Sequence, residues 1–409
     1  MRLKTVLRKL IDVRALRVSS VRTQEGALQI QVRPRWNRPR CGECQAPAAG
    51  YDRRPLRRWR HLAFGPCAVF LCFAPRRVQC PRCGIAGEAL PWASDTRARF
   101  TRALEETAAY YATIMDKTAV TRLLGISWRA VDSIVDRVVE RRLDRERFSG
   151  VRIIGVDEFS YRKRHHYVTI VVDHERGRVL WAAKGRSSET LKRFFDALGP
   201  QGRARIQSVT LDMAGGYIKA IRESVPHANL VFDRFHVQQL ASRAVDEVRR
   251  SLMRAIEDPE ARRALKRTRF ALLSNPWNLR KDQRAKLADV QKHCAPLYRA
   301  YLLKETLAEA LSSLRPDHAR RKLREWLAWA SRSRLKPFVR LARTVRYHLD
   351  GILAYIDLRL TNGLAEGINN RIRMIARRAF GYHTAEALIA MIFLHCGEIP
   401  LDPTLPKPT

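Results

Sequence analysis

Val151-Arg152-Ile153-Ile154-Gly155-Val156-Asp157, then Tyr167-Val168-Thr169-Ile170-Val171-Val172, then Arg178-Val179-Leu180-Trp181-Ala182-Ala183 are the stretches that decide how this chain folds. Each is short, rich in β-branched and aromatic residues, and bounded by polar residues or glycine, so each reads as a strand. Asp173 to Gly177 supplies the turn between the second and third. A helix fits Ser187–Leu198, with Ser187 or Ser188 as its N-cap. A fourth strand, Ser208–Asp212, precedes Gly215-Gly216 and another helix, and a fifth, Asn229–Phe232, leads into Asp233-Arg234-Phe235-His236. Three antiparallel strands followed by alternating strand and helix is an α/β order, which fits a mixed five-stranded sheet with helices on its faces.

Working outward, residues 1–95 hold two Cys-x-x-Cys pairs and many arginines, and residues 96–148 read as helices. The α/β stretch occupies residues 149–236. Residues 237–360 are Ala/Leu/Arg-rich and helical, punctuated at Pro276, Pro296, Pro316 and Pro337. Residues 361–398 return to helices, and the Pro-rich tail 399–409 reads as disordered. The 409 residues carry 78 Lys+Arg against 40 Asp+Glu, a formal net charge of +38 and a pI near 11.0. Such a field repels itself unless a polyanion relieves it, and with 46% hydrophobic residues the chain still builds real cores. A nucleic-acid partner follows, and a small-molecule enzyme working alone is disfavoured. No apolar run approaches the roughly 18 residues needed to span a membrane. The basic amphipathic start, Met1 to Val13, lacks a signal-peptide core. The reading is a cytoplasmic, nucleoid-associated protein.

Cys41-Gly42-Glu43-Cys44 and Cys80-Pro81-Arg82-Cys83 present two thiolate pairs, the four tetrahedral positions a structural Zn²⁺ requires. The separation of 36 positions from Cys44 to Cys80 leaves room for a hairpin, Arg53 to His61. That hairpin reads as a basic, aromatic-bearing strand aimed at phosphates, with Arg57, Arg58 and Arg60 as DNA contacts. Cys67, Cys72, Cys294 and Cys396 sit in apolar contexts and read as buried small hydrophobes. Lys117–Leu124, Gly125-Ile126-Ser127 and Trp128–Val139 have the form of a helix-turn-helix. Gly125 is placed for positive φ, Ser127 caps the second helix, and Val120, Leu123, Leu124, Ile126, Val131, Ile134, Val135 and Val138 form the small core. Trp128, Arg129, Asp132 and Ser133 then face outward where base edges are read.

In so basic a chain, an acid ending an apolar strand needs a reason. Asp157 and Asp212 end neighbouring strands, and two carboxylates brought together repel unless a divalent cation joins them. Mg²⁺ (or Mn²⁺) suits such a pair, with water and phosphate completing its shell. A third acid is expected from a helix laid across that edge. In Thr361-Asn362-Gly363-Leu364-Ala365-Glu366-Gly367-Ile368-Asn369-Asn370, helical spacing puts Glu366, Asn370, Arg373 and Arg377 on one face. Ile368, Ile372, Ile375, Ala376 and Ala379 make a separate apolar stripe. Glu158 is expected to point away from Asp157. Asp173 and Asp233 are rivals; Asp233 reads as a supporting or DNA-contacting group, with Arg234 and His236 alongside. His165-His166 reads as a strand-edge basic pair.

These residues resemble a known family. Val156-Asp157-Glu158-Phe159 with Arg162-Lys163, Asp212-Met213, Phe232-Asp233-Arg234-Phe235-His236-Val237 and the Thr361–Asn370 block are similar to the DDE transposases of bacterial insertion sequences in the ISL-three group. The resemblance covers nearly the whole chain. It implies an RNase H-like core interrupted by the helical insertion, with Asp157, Asp212 and Glu366 as the metal-binding catalytic triad. The expected function is therefore recognition of the terminal inverted repeats of an insertion sequence, followed by metal-dependent cleavage and strand transfer. Double-stranded DNA, both element ends and target, is the partner, with a homo-oligomer holding two ends together. The competing readings are an RNase H-like nuclease that cuts without joining and a non-catalytic DNA-binding regulator.

Overall fold

The computed structural model describes residues 3–162, 166–213, 215–255 and 257–405. Two compact units divide the chain: residues 1–144 with 375–409, and residues 145–374.

The first unit opens with α1 (Leu3–Ile11), β1 (Leu16–Gln24) and β2 (Ala27–Pro34), followed by β3 (Ala49–Arg53), β4 (Arg57–Phe64), β5 (Cys67–Phe73), β6 (Arg76–Cys80) and β7 (Gly84–Gly87). Four strands form one sheet in the order β1-β2-β5-β4, and β3-β6-β7 form a smaller one. Alternation along β4 buries Trp59 and His61 and leaves Arg58 and Arg60 on the other face. Trp59 therefore belongs to the core rather than to a phosphate-facing strand: it meets Trp92 edge-to-face at 5.7 Å, within a cluster that includes Ile30, Val69 and Leu71. The second small core is made by Cys41, Ala48, Val78 and Cys80.

Three helices follow: α2 (Arg102–Ile114), α3 (Lys117–Leu124) and α4 (Trp128–Arg142). Gly125 takes φ 60° at the end of α3, a left-handed conformation that glycine adopts without strain, and the Ser127 hydroxyl accepts from the Ala130 amide to start α4. Val120, Val131, Ile134, Val135 and Val138 are buried as expected. Leu123 is not: at 58% exposed it lies on the outer side of α3, and Leu124 and Ile126 are half-buried. The difference arises because α2 supplies the missing wall, packing on both α3 and α4. Glu105 and Glu106 of α2 are buried, and Arg137, Arg141 and Arg142 of α4 bridge to them at 2.8–3.1 Å.

In the second unit, β8 (Ile153–Arg162), β9 (His166–Asp173) and β10 (Arg178–Lys184) form an antiparallel meander. After α5 (Ser188–Arg205), β11 (Ser208–Leu211) joins β8 in parallel; after α6 (Gly215–Ser224), β12 (Asn229–Phe232) joins β11. The sheet order is β10-β9-β8-β11-β12. Two expectations need correction. The helix read as ending at Leu198 kinks at Gly199 and Pro200 and continues to Arg205. Asp157 does not end its strand, because β8 stays paired with β9 as far as Arg162↔His166.

Helices α7 (Arg234–Ala255), α8 (Pro259–Leu265), α9 (Arg269–Leu273), α10 (Lys281–His293), α11 (Ala295–Ser312), α12 (Pro316–Arg332), α13 (Lys336–Tyr347) and α14 (Leu349–Leu358) follow β12 in the same unit. Their apolar faces share one continuous core with the sheet, running from Ile154 and Phe194 through Leu303 and Trp326 to Ile356. The chain then enters α15 (Gly363–Arg378) and α16 (Ala385–Cys396), the latter packing on α2 and α4 within the first unit. The tail has no regular structure over residues 399–405, yet the Asp402 and Thr404 amides donate to Glu106 and to the Thr107 hydroxyl. No helix among the described residues is long and apolar enough to cross a membrane.

Candidate active site and metal centre

On the β11 side, the pairing of β8 stops at Gly155↔Thr210, and continuing that register by two residues puts Asp212 level with Asp157. Parallel neighbours lie about 4.8 Å apart, so the two acids stand side by side where the sheet opens. Gly155 is required there: a Cβ would come within 2.8–3.1 Å of Val172, His174 and Thr210. Burial pushes the Asp157 carboxyl up to about 6, against the hydrogen bond from the Glu158 amide; the Asp212 charge raises it further and His236 opposes. A carboxylate held half out of water beside a second acid is stabilised by any positive charge brought to it.

Helix α15 reaches the same place. Glu366 lies 4.0 Å from His236 Nε2, and Asn369 Nδ2 donates to Asp157 Oδ2 at 2.7 Å. Asp157, Asp212, Glu366 and His236 therefore share one neighbourhood. The oxygen-donor chemistry of the three carboxylates fits a hard divalent ion. Glu158, expected to point away, remains coupled to the site: burial and then Asp212 raise its carboxyl, while Arg186, 3.8 Å away, lowers it. Burial raises the Tyr217 hydroxyl as well, with Glu158, Asp157 and Asp212 adding to the shift; it meets the Thr169 hydroxyl at 2.8 Å.

The rival acids are occupied elsewhere. Asp173 accepts from the Glu175 and Arg176 amides and so holds the β9–β10 turn. Asp233, 1% exposed, accepts from the Phe235 amide at 2.8 Å and from the Asn362 amide at 2.5 Å. Asn362 in turn accepts from the Thr210 hydroxyl at 3.0 Å, and His174 lies 2.7 Å from that hydroxyl. This buried chain ties the point where the polypeptide leaves the sheet to the point 129 positions later where it returns. Sequence reading missed Asn369, Asn362, Thr210 and Tyr217. Only Asn369 left a signal, its spacing one helical turn beyond Glu366.

In the first unit, the sulfurs of Cys41, Cys44, Cys80 and Cys83 all lie within 4.8 Å of one another. The backbone amides of Arg82 and Cys83 hold the Cys80 thiol down to about 7. Four converging thiols fit a tetrahedral ion. Cys72, Cys294 and Cys396 are buried, while Cys67 is half-buried and donates to the Gly26 carbonyl.

The expected DNA contacts divide. The Arg57 guanidinium is tied to the Thr96 and Ala98 carbonyls, so it braces the fold. Arg58 and Arg60 lie over Phe70 and, with Arg97 and Arg99, line a cavity of about 980 Å³; Arg58 is exposed, whereas Arg60 is half-buried with one guanidinium nitrogen shut off from solvent. Trp128 is stacked by Lys117, which pairs with Asp132, whereas Arg129 is exposed. Arg234 lies over Phe235. Asn370, Arg373 and Arg377 are exposed on α15, with Asn370 Oδ1 accepting from Arg373. Lys163 and His165 lie outside the described residues; His166 pairs across β8 with Arg162.

An acid cluster at the opening of a mixed sheet, a helix-turn-helix and a strongly basic surface define a DNA-processing protein. Comparison places it. Residues 154–392 match the ISL3 family of DDE type described as "Transposase", and residues 88–139 match the "Helix-turn-helix domain of transposase family ISL3". The chain is 41% identical over 393 residues to the transposase for insertion sequence element IS1557 of Mycobacterium tuberculosis, covering 90% of this chain and 87% of that protein. It is 32% identical over 362 residues to the transposase for insertion sequence element IS1001 of Bordetella parapertussis, covering 88% and 89%. The chain belongs to the ISL3 family of transposases, DNA-cleaving and strand-transferring enzymes whose DDE site implies a divalent metal.

Proposed function

We propose that residues 149–236 and the start of α15 form an RNase H-like catalytic core in which Asp157, Asp212 and Glu366 hold Mg²⁺ or Mn²⁺. The observation that carries this is the hydrogen bond from Asn369 to Asp157, which brings the helix bearing Glu366 onto the strand pair bearing the two aspartates. A divalent cation held there activates the attacking oxygen and relieves charge on the leaving one. The first attack, by water, frees a 3′-hydroxyl at the element end; that hydroxyl then attacks a phosphodiester of target DNA and displaces a 3′-oxygen. No covalent bond to the protein forms in either displacement.

The chain's own residues bind and orient. The Glu158 amide and Asn369 hold the Asp157 carboxylate from both oxygens, and Arg373 and Arg377 offer charge to the DNA backbone. Arg129, at the exposed start of α4, reads the terminal inverted repeats with Arg58 and Arg60 in support. Cys41, Cys44, Cys80 and Cys83 hold a structural Zn²⁺, and a homo-oligomer on DNA holds two element ends together. Asp157→Asn, Asp212→Asn and Glu366→Gln are expected to abolish cleavage and joining of an end-bearing duplex with Mg²⁺ while end binding persists in a gel-shift assay. Full strand transfer by any of the three sinks the proposal.

A further inference from the structure

Asn369 is a polar side chain where helix packing calls for an apolar one. It follows Ile368 in α15 and is 4% exposed. Its Nδ2 donates to Asp157 Oδ2 at 2.7 Å and reaches the Glu158 carbonyl at 3.5 Å. Oδ1 of Asp157 accepts from the Glu158 amide at 2.7 Å. Because a carboxylate offers only lone pairs, the amide nitrogen of Asn369 must be the atom facing it. The amide oxygen is thereby left buried with no hydrogen-bond partner among the described residues. A buried orphan acceptor persists where a stronger demand sets the side chain, and here that demand is Asp157. The adjacent Asn370 does different work: it is exposed and accepts from Arg373.

We propose that Asn369 is a positioning residue for Asp157. With one oxygen fixed by the strand's own amide and the other by α15, the carboxylate cannot rotate, and its remaining lone pairs keep one direction. The same bond sets the distance between the strand and Glu366, one turn earlier on α15. Cation affinity should therefore depend on Asn369 although Asn369 is not a ligand, as groups that orient ligands commonly change affinity by about 10–100-fold. This rests on the reading of Asp157 as a cation ligand.

The test uses the full chain with Mn²⁺ as the probe. Free Mn²⁺ is measured by electron paramagnetic resonance, and end cleavage is followed across a Mn²⁺ titration. Asn369→Ala removes the donor; Asn369→Leu keeps about the same side-chain volume and offers no donor to Asp157. Both are expected to weaken Mn²⁺ binding by about tenfold or more. Cleavage should return at raised Mn²⁺, with end binding and melting temperature near wild type. Wild-type Mn²⁺ affinity in either folded variant overturns the inference, as does failure of both to fold, which would make Asn369 a purely structural residue. Asp157→Asn separates the two levels. If it binds Mn²⁺ and cleaves normally, the ligand reading itself fails; if it is dead while the Asn369 variants bind normally, only the positioning role fails.

Discussion

Asp233 is the acid most easily mistaken for a metal ligand, and its geometry assigns it another role. Both of its oxygens are taken by backbone amides, Phe235 at the start of α7 and Asn362 just before α15. Hydrogen bonds to a buried charged acceptor contribute about 1.5–3 kcal/mol each. Asp233→Ala removes two and should cost about 3–5 kcal/mol once partial relaxation is allowed. At about 2–4 °C per kcal/mol for a unit of this size, the melting temperature should fall by on the order of 10 °C. Asp233→Asn is the sharper variant: its amide oxygen satisfies one N–H while its NH₂ confronts the other, so about half the loss is expected. Urea unfolding followed by tryptophan fluorescence measures both, with Mn²⁺ affinity measured under native conditions. Wild-type stability in Asp233→Asn together with lost Mn²⁺ binding would refute the clamp and make Asp233 a ligand.

Two further outcomes are expected in the first unit. Cys41→Ser, or removal of zinc by a chelator, should unfold the small β3-β6-β7 sheet and abolish end binding, read by zinc content and gel shift, because structural zinc contributes folding energy directly. Burial, with Arg60 adding, depresses the His61 imidazole to about 4, against an ordinary value of 6.5. The unfolded chain therefore binds a proton that the folded chain refuses. Stability is fully present above pH 6.5 and is lost as pH falls through 4, by about 3 kcal/mol in total. His61→Gln should flatten that part of the stability–pH curve in urea titrations between pH 7 and 4; an unchanged slope counts against the assignment.

Much of the candidate site can be proposed from the chain alone because local chemistry marks its residues. Asp157 and Asp212 follow apolar runs, Ser127 and Gly125 mark a turn between helices, and paired Cys-x-x-Cys knuckles have few uses besides metal. Residues whose role comes from distant partners were not legible. Leu123 looks like core until α2 supplies the wall that makes it unnecessary. Arg57 looks like a phosphate contact until the Thr96 and Ala98 carbonyls claim its guanidinium. Asn369 looks like its neighbour Asn370 until the helix is set on β8.

By itself, then, the sequence determined the strand and helix order, the acids, the thiols and the charge, since these follow from residue type and spacing of a few positions. The tertiary structure alone decided how the chain closes its sheet after a long helical excursion. That closure is made by Asp233, Asn362 and Thr210, residues up to 152 positions apart, whose bonds exist only once the insertion has packed onto the sheet. It also decided which asparagine meets Asp157, because burial and direction of a side chain depend on what the helix is laid against and not on its neighbours along the chain.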